Sequence, residues 1–153
     1  ALVYKVASAA TIVAGRDLVY PLHLSFRLAD GSRQERDVRV HTLFVVNHRM
    51  CGGGLRLPTG SDGTDGVFEL GLVHEGSRAA LVRNFSRLAN GAPIGSDAFE
   101  VVPVREVVIR GDVPLAFAAD GELLATSREL RVSIRPGALR VAGTGARGAA
   151  RRA

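Results

Sequence analysis

What the chain lacks narrows the possibilities before anything it contains. It has one cysteine, Cys51, in 153 residues, so no internal disulfide can form and nothing requires an oxidising compartment. A reducing, cytoplasmic setting is expected. No run reaches the roughly 18 uninterrupted apolar residues that mark a membrane span. The apolar opening ALVYKVASAATIVAG carries its charge too late for a secretory signal. Any membrane contact is therefore expected to be peripheral. Tryptophan is absent and aromatics make up 5% of the residues, which removes the stacking platforms that single-stranded nucleic acid needs. Nucleic acid is not an expected partner. Lysine is nearly absent too: Lys5 stands alone, and the formal charge of +5 is otherwise carried by arginine. Arg147, Arg151 and Arg152 lie in the tail GTGARGAARRA, and without them the charge falls to +2. That tail, residues 143–153, is too small and polar to pack and is expected to be disordered.

What remains, residues 1–142, is expected to form one domain, since a chain that is 46% hydrophobic can bury a core without staples. The segment Leu2 to Ala14 is apolar on nearly every face and reads as a short buried helix, or else as an entry strand. From Leu22 the pattern becomes strict alternation, with Leu22, Leu24, Phe26 and Leu28 on one face, the signature of a half-buried strand. Asp30-Gly31-Ser32 supplies a turn into Val38 and Val40, followed by a buried run from Thr42 to Val46. Gly52-Gly53-Gly54 forbids regular structure and lets the backbone approach something closely. Phe68, Leu70 and Leu72 alternate with Val67, Glu69 and Gly71 as a further strand. Ser77 to Asn90 is an amphipathic helix, expected to pack on a sheet rather than anchor in a membrane. Beyond Ala98 come six short β-rich runs separated by Gly, Pro and Asp. The whole predicts a mainly β fold, an antiparallel β-sandwich with one or two helices.

Two constellations could carry chemistry. Ser61-Asp62-Gly63-Thr64-Asp65-Gly66-Val67 concentrates carboxylates, hydroxyls and glycines before a strand, and can be either a polar turn or a loop that wraps oxygens around a hard cation such as Mg²⁺. Asp120-Gly121-Glu122 lies between two apolar runs. It reads either as a type I′ hairpin turn or as a rigid mount for a general base, Glu122 or Asp120. The histidines have no metal-ligand spacing, the glycine run lacks the Walker pattern, and no G-x-S-x-G elbow is present.

In order, a strand ending at Asn47, the cluster Gly52-Gly53-Gly54, Leu57-Pro58, Asp65-Gly66-Val67-Phe68-Glu69-Leu70, a helix, Asp120-Gly121-Glu122 and Arg135-Pro136-Gly137-Ala138-Leu139-Arg140-Val141 resemble the C-terminal lobe of the diacylglycerol kinase catalytic family. This is the bacterial lipid-kinase branch related to sphingosine and ceramide kinases. The resemblance implies a β-sandwich lobe and a Mg²⁺ held by the Asp65 side chain with backbone oxygens of Asp62 and Val67. It also implies Glu122 as acceptor of the lipid hydroxyl proton, supported by Asp120. The family's Gly-Gly-Asp-Gly-Thr nucleotide motif does not occur here. ATP is therefore expected to bind mainly to an N-terminal nucleotide-binding lobe outside this sequence, and this lobe alone is expected to be inactive. The implied partners are that lobe and a lipid substrate at a membrane surface. Readings from other classes are a non-catalytic lipid- or metal-binding β module and a homodimerisation domain that pairs edge strands.

Overall fold

The computed structural model describes residues 19–51, 55–57, 60, 63–89, 94–95, 97–119 and 122–139. The helix expected over Leu2 to Ala14, the glycine run, Asp62, Asp120 and the tail lie outside these. The elements are β1 (Tyr20–Leu28), β2 (Arg33–Val46), the short pair β3 (Met50–Cys51) and β4 (Leu55–Arg56), β5 (Phe68–His74), the helix α1 (Arg78–Ala89), β6 (Phe99–Ala119) and β7 (Glu122–Ser133).

The large sheet runs β1-β2-β5-β6-β7, and β1 also pairs with β6. Four antiparallel strands therefore close into a ring, and β7 pairs with β6 on the edge that β5 occupies farther back along that strand. Alternation explains the closure. Leu22, Leu24 and Phe26 of β1 face inward, to meet Val40 of β2, Phe68, Leu70 and Leu72 of β5, and Val104, Val107 and Ile109 of β6 in one buried cluster. A side chain of this kind contributes about 1.5–3 kcal/mol when fully buried. The fold is mainly β and antiparallel, as expected. Its layers are parts of a single sheet that turns over on itself.

Strand β6 makes this possible. It pairs with β5 over Phe99 to Val104, with β1 over Val104 to Gly111, and with β7 from Glu106 to Ala119. The sequence reads this region as separate short runs because of Pro103, Gly111-Asp112 and Pro114. The structure shows one 21-residue strand. Pro103 is an exposed position opposite Glu69. Gly111 to Pro114 form an irregularity at which the register with β7 shifts between Arg110 and Leu115. The breakers bend the strand without ending it. Likewise Val38–Val40 and Thr42–Val46 are one strand, with the register shift falling between Val40 and Thr42.

Three polar side chains occupy inward positions at one mouth of the ring: Arg36 opposite Leu24, His74 opposite Val40 and Glu100 opposite Leu72. Arg36 Nη1 donates to Glu100 Oε1 at 3.0 Å, and His74 Nε2 lies 3.1 Å from Glu100 Oε2. The Arg36 guanidinium also sits 5.5 Å from the Phe26 ring centroid. Burial pushes the Glu100 carboxyl up, but the hydrogen bond and charge of Arg36, joined by His74, outweigh it and hold the group below its ordinary value. A lowered carboxylate contributes stability that is fully present above the unfolded-state value, about 4.3, and is lost as pH falls through the lower folded-state value. Glu100→Gln is therefore expected to lower the melting temperature at neutral pH. Melting curves of the two proteins should converge as pH falls below the ordinary carboxylate range, and a constant difference at every pH would contradict the assignment.

Strand β5 is buried on both faces over Phe68 to Leu72. Outside the ring, the Phe44 ring lies over Gly71 and stacks on Phe99 with centroids 5.5 Å apart. A Cβ on Gly71 would come within 2.3 Å of that ring. The stacked Phe99 restricts its retreat, so Gly71→Ala is expected to cost about 1–3 kcal/mol by overpacking. Denaturant melting checks this, and Phe44→Leu in the same chain should recover part of the loss.

Candidate functional site

Two rims and one cleft hold the candidate chemistry. The first rim is the loop entering β5. Gly63 and Gly66 adopt φ of 75° and 71°, a region that strongly favours glycine, and between them Asp65 is exposed. Asp65 Oδ1 accepts a hydrogen bond from the Val67 amide at 3.0 Å, which closes the loop on its own carboxylate. The neighbours arrive from distant parts of the chain. A Cβ at Gly63 would lie 3.1 Å from the Asn47 carbonyl oxygen, and one at Gly66 would lie 3.2 Å from Pro136 Cγ. Arg105 binds the arrangement together: Nη1 donates to the Gly66 carbonyl at 3.2 Å and Nε to the Ala29 carbonyl at 3.1 Å. The Arg105 carbonyl in turn accepts from the Ile134 amide at 3.1 Å. Asn47, the Asp65-Gly66 loop and the Pro136 turn, far apart in sequence, thus form one rim.

Among the described residues no three His, Cys, Asp or Glu side chains cluster to hold a metal. Asp65 and Val67 stand two residues apart on this loop, and Asp62 lies outside the described residues. The Asp65 carboxylate is exposed, the kind of oxygen donor that Mg²⁺ takes alongside several waters.

The second rim is the tip of the β6–β7 ribbon. Ala119 pairs with Glu122, so the connection contains only Asp120 and Gly121, the length of a tight hairpin. Glu122 is exposed, and Leu123 and Leu124 beside it are 67% and 60% exposed. A carboxylate followed by two bare leucines is an unusual surface for a hairpin tip, since large apolar residues there gain nothing from folding.

Between the ribbon and the ring runs a cleft of about 550 Å³, lined from the ring by Leu22, Val40 and Leu43 to Val45 and from the ribbon by Leu115 to Ala119. Such a volume lies within the range of small-molecule sites. Directly paired residues project to the same face, so Glu122 shares the face of Ala119, a residue of the cleft wall.

Sequence reasoning missed Arg105, Glu69 and the cleft. Glu69, which alternates with Phe68 and Leu70 in the sequence pattern, is 8% exposed, and its Oε2 has no hydrogen-bond partner among the described residues. Nothing in the pattern marks it, because a strand covered on both sides leaves no polar face. The cleft depends on how β6 bends, which the individual runs do not encode.

The fold is that of the C-terminal lobe of the diacylglycerol kinases. Two solved structures from Bacillus anthracis str. Sterne assigned as diacylglycerol kinase superpose with TM-scores of 0.64 and 0.62, each at 16% identity over 84% of this chain. A third, a diacylglycerol kinase of the same organism, gives 0.53 at 12% identity over 82%. The chain belongs to the family described as the YegS C-terminal NAD kinase beta sandwich-like domain, which it matches over residues 1–143. It spans about two-fifths of the solved chains, 41%, 42% and 41% of their lengths. No curated protein matches it.

Proposed function

We propose that this lobe holds the acceptor lipid of an ATP-dependent lipid kinase, a diacylglycerol or similar lipid, with the chain in the apolar cleft and the hydroxyl at Glu122. The observation that supports the reading is a cleft of about 550 Å³ whose ribbon wall, Leu115 to Ala119, ends at the residue paired with Glu122, with exposed Leu123 and Leu124 following it. A lipid with a free hydroxyl needs both: apolar surface for its chain and a proton acceptor at the polar end.

In the transfer step the acceptor oxygen bonds to the γ-phosphorus of ATP as the bond to the ADP oxygen breaks. The hydroxyl proton passes to the Glu122 carboxylate, so lipid and ATP become phospholipid and ADP. Asp120 lies two residues before Glu122 and supports it on the phosphate side. Mg²⁺ at Asp65, with the Asp62 and Val67 backbone oxygens, would supply positive charge that rigidifies the first rim. Positioning and charge stabilisation provide most of the rate in phosphoryl transfer, and both require the nucleotide lobe. The isolated lobe should bind lipid without transferring phosphate, acting peripherally at the membrane in the cytoplasm. No described helix is long and apolar enough to cross a membrane.

A diacylglycerol with a photoreactive group in its acyl chain tests the pose. Labelling should concentrate on Leu43 to Val45 and Leu115 to Ala119. Labelling spread over the exterior of the ring, with none in the cleft, would reject it.

A further inference from the structure

Glu69 is the buried polar group that the reading above leaves without a role. Among the described residues it is the one charged side chain in the buried class, and no hydrogen-bond donor meets its Oε2. A carboxylate taken out of water is costly unless a cation or donors meet it. In a folded protein such an atom calls for an explanation, a water or an ion being the usual ones.

The neighbours of Glu69 place it under the loop of the first rim. Phe68 and Leu70 on either side of it belong to the inner cluster, so Glu69 projects to the outside of the ring. It pairs with Val46 of β2 and Pro103 of β6. Gly60 covers it: a Cβ there would lie 3.9 Å from Glu69 Oε1. Farther along, Gly63 abuts the carbonyl of Asn47, the residue that follows Val46. The chain then passes through Asp65, whose Oδ1 holds the Val67 amide, and enters β5. One loop thus has a buried carboxylate beneath its start and an exposed carboxylate near its end.

We propose that Glu69 is a positioning residue for the cation of this rim, its Oε2 accepting a hydrogen bond from a water carried by the Mg²⁺ that Asp65 would hold. This rests on the Mg²⁺ part of the reading above, which names only Asp65 and the backbone oxygens of Asp62 and Val67. Mg²⁺ dehydrates reluctantly and keeps several waters, so a carboxylate need not touch the ion to serve it. The bond from such a water is charge-assisted and gives Oε2 the donor it lacks. Affinity at oxygen sites is set by ligand charge and rigidity, and Glu69 adds a negative charge mounted on a strand.

The test titrates Mn²⁺, a paramagnetic stand-in for Mg²⁺, into the metal-free 153-residue chain, with free Mn²⁺ read by electron paramagnetic resonance. Wild type is expected to bind Mn²⁺ that Mg²⁺ displaces, and Asp65→Asn should abolish that binding. Glu69→Gln should weaken it about 10–100-fold, the usual cost of removing a group behind a metal ligand. The metal-free glutamine variant should melt no lower than wild type, since Oε2 has no described partner to lose. Glu69→Met, similar in shape and without the charge, should weaken binding equally and keeps the test open if the glutamine variant misfolds. Glu69→Asp keeps the charge and should retain more affinity than either. Wild-type Mn²⁺ affinity in the glutamine and methionine variants, with loss in Asp65→Asn, would overturn this proposal and leave the Mg²⁺ reading standing. Weakened affinity found only together with a lower metal-free melting temperature would be a structural effect and would likewise overturn it. Absence of Mn²⁺ binding by wild type, or binding indifferent to Asp65→Asn, would overturn both.

Discussion

Glu122→Gln, introduced into the intact protein with its nucleotide lobe, is expected to reduce lipid phosphorylation by about 10²–10⁴-fold, the usual contribution of a positioned general base. Glutamine keeps the size and shape of the side chain but cannot take the hydroxyl proton. Glu122 is exposed at the first position of β7, so the substitution should change stability by no more than about 0.5 kcal/mol. Loss of turnover with an unchanged melting temperature and unchanged ATP binding is therefore the expected combination. A variant with wild-type turnover would remove Glu122 from the chemistry. Loss accompanied by unfolding would be a structural effect and would contradict the exposed position described here.

The second large effect concerns the ring. Leu70 is fully buried and touches the cluster built by β1, β2, β5 and β6. Leu70→Ala removes its apolar contacts and leaves a cavity that a closed ring has little freedom to collapse. The expected cost is about 2–5 kcal/mol, a large part of the roughly 5–15 kcal/mol that holds a domain together. Urea unfolding should show a lower midpoint with the same slope. Leu123→Ala serves as the comparison, since Leu123 is 67% exposed and its loss should change stability by less than about 0.5 kcal/mol. Equal effects at the two positions would mean that the ring is not the core.

Local features of this fold are well written in the sequence. The alternation of Leu22, Leu24 and Phe26 predicts β1 and its inner face. Asp30-Gly31-Ser32 predicts the turn, in which the Ser32 amide donates to Asp30 Oδ1 at 2.8 Å and Gly31 has φ of 91°. Ser77 predicts the start of the helix. The continuity of β6 is not legible, because Pro103, Gly111 and Pro114 look identical in sequence whether they end a strand or bend it. Ring closure decides between these, and it is a tertiary event. The site follows the same division. Its motifs can be read in order along the chain, and the contact of Gly66 with Pro136 gives two of them a common location. The arginine that joins them could not be foreseen, since Arg105 inside an apolar run looks like any solvent-facing strand residue. Burial of Glu69 was hidden for the opposite reason: its alternation is regular, and the cover comes from elsewhere.

If this lobe selects a lipid acceptor, a direct choice between acceptors reveals it. The intact protein supplied with ATP labelled in the γ-phosphate, Mg²⁺, and equal amounts of diacylglycerol and NAD should place the label in the lipid. The leucines, valines and alanines along the cleft wall offer no charged partner to the phosphates of a dinucleotide. Label recovered in NAD, or in neither acceptor while the protein remains folded and binds ATP, would contradict the account.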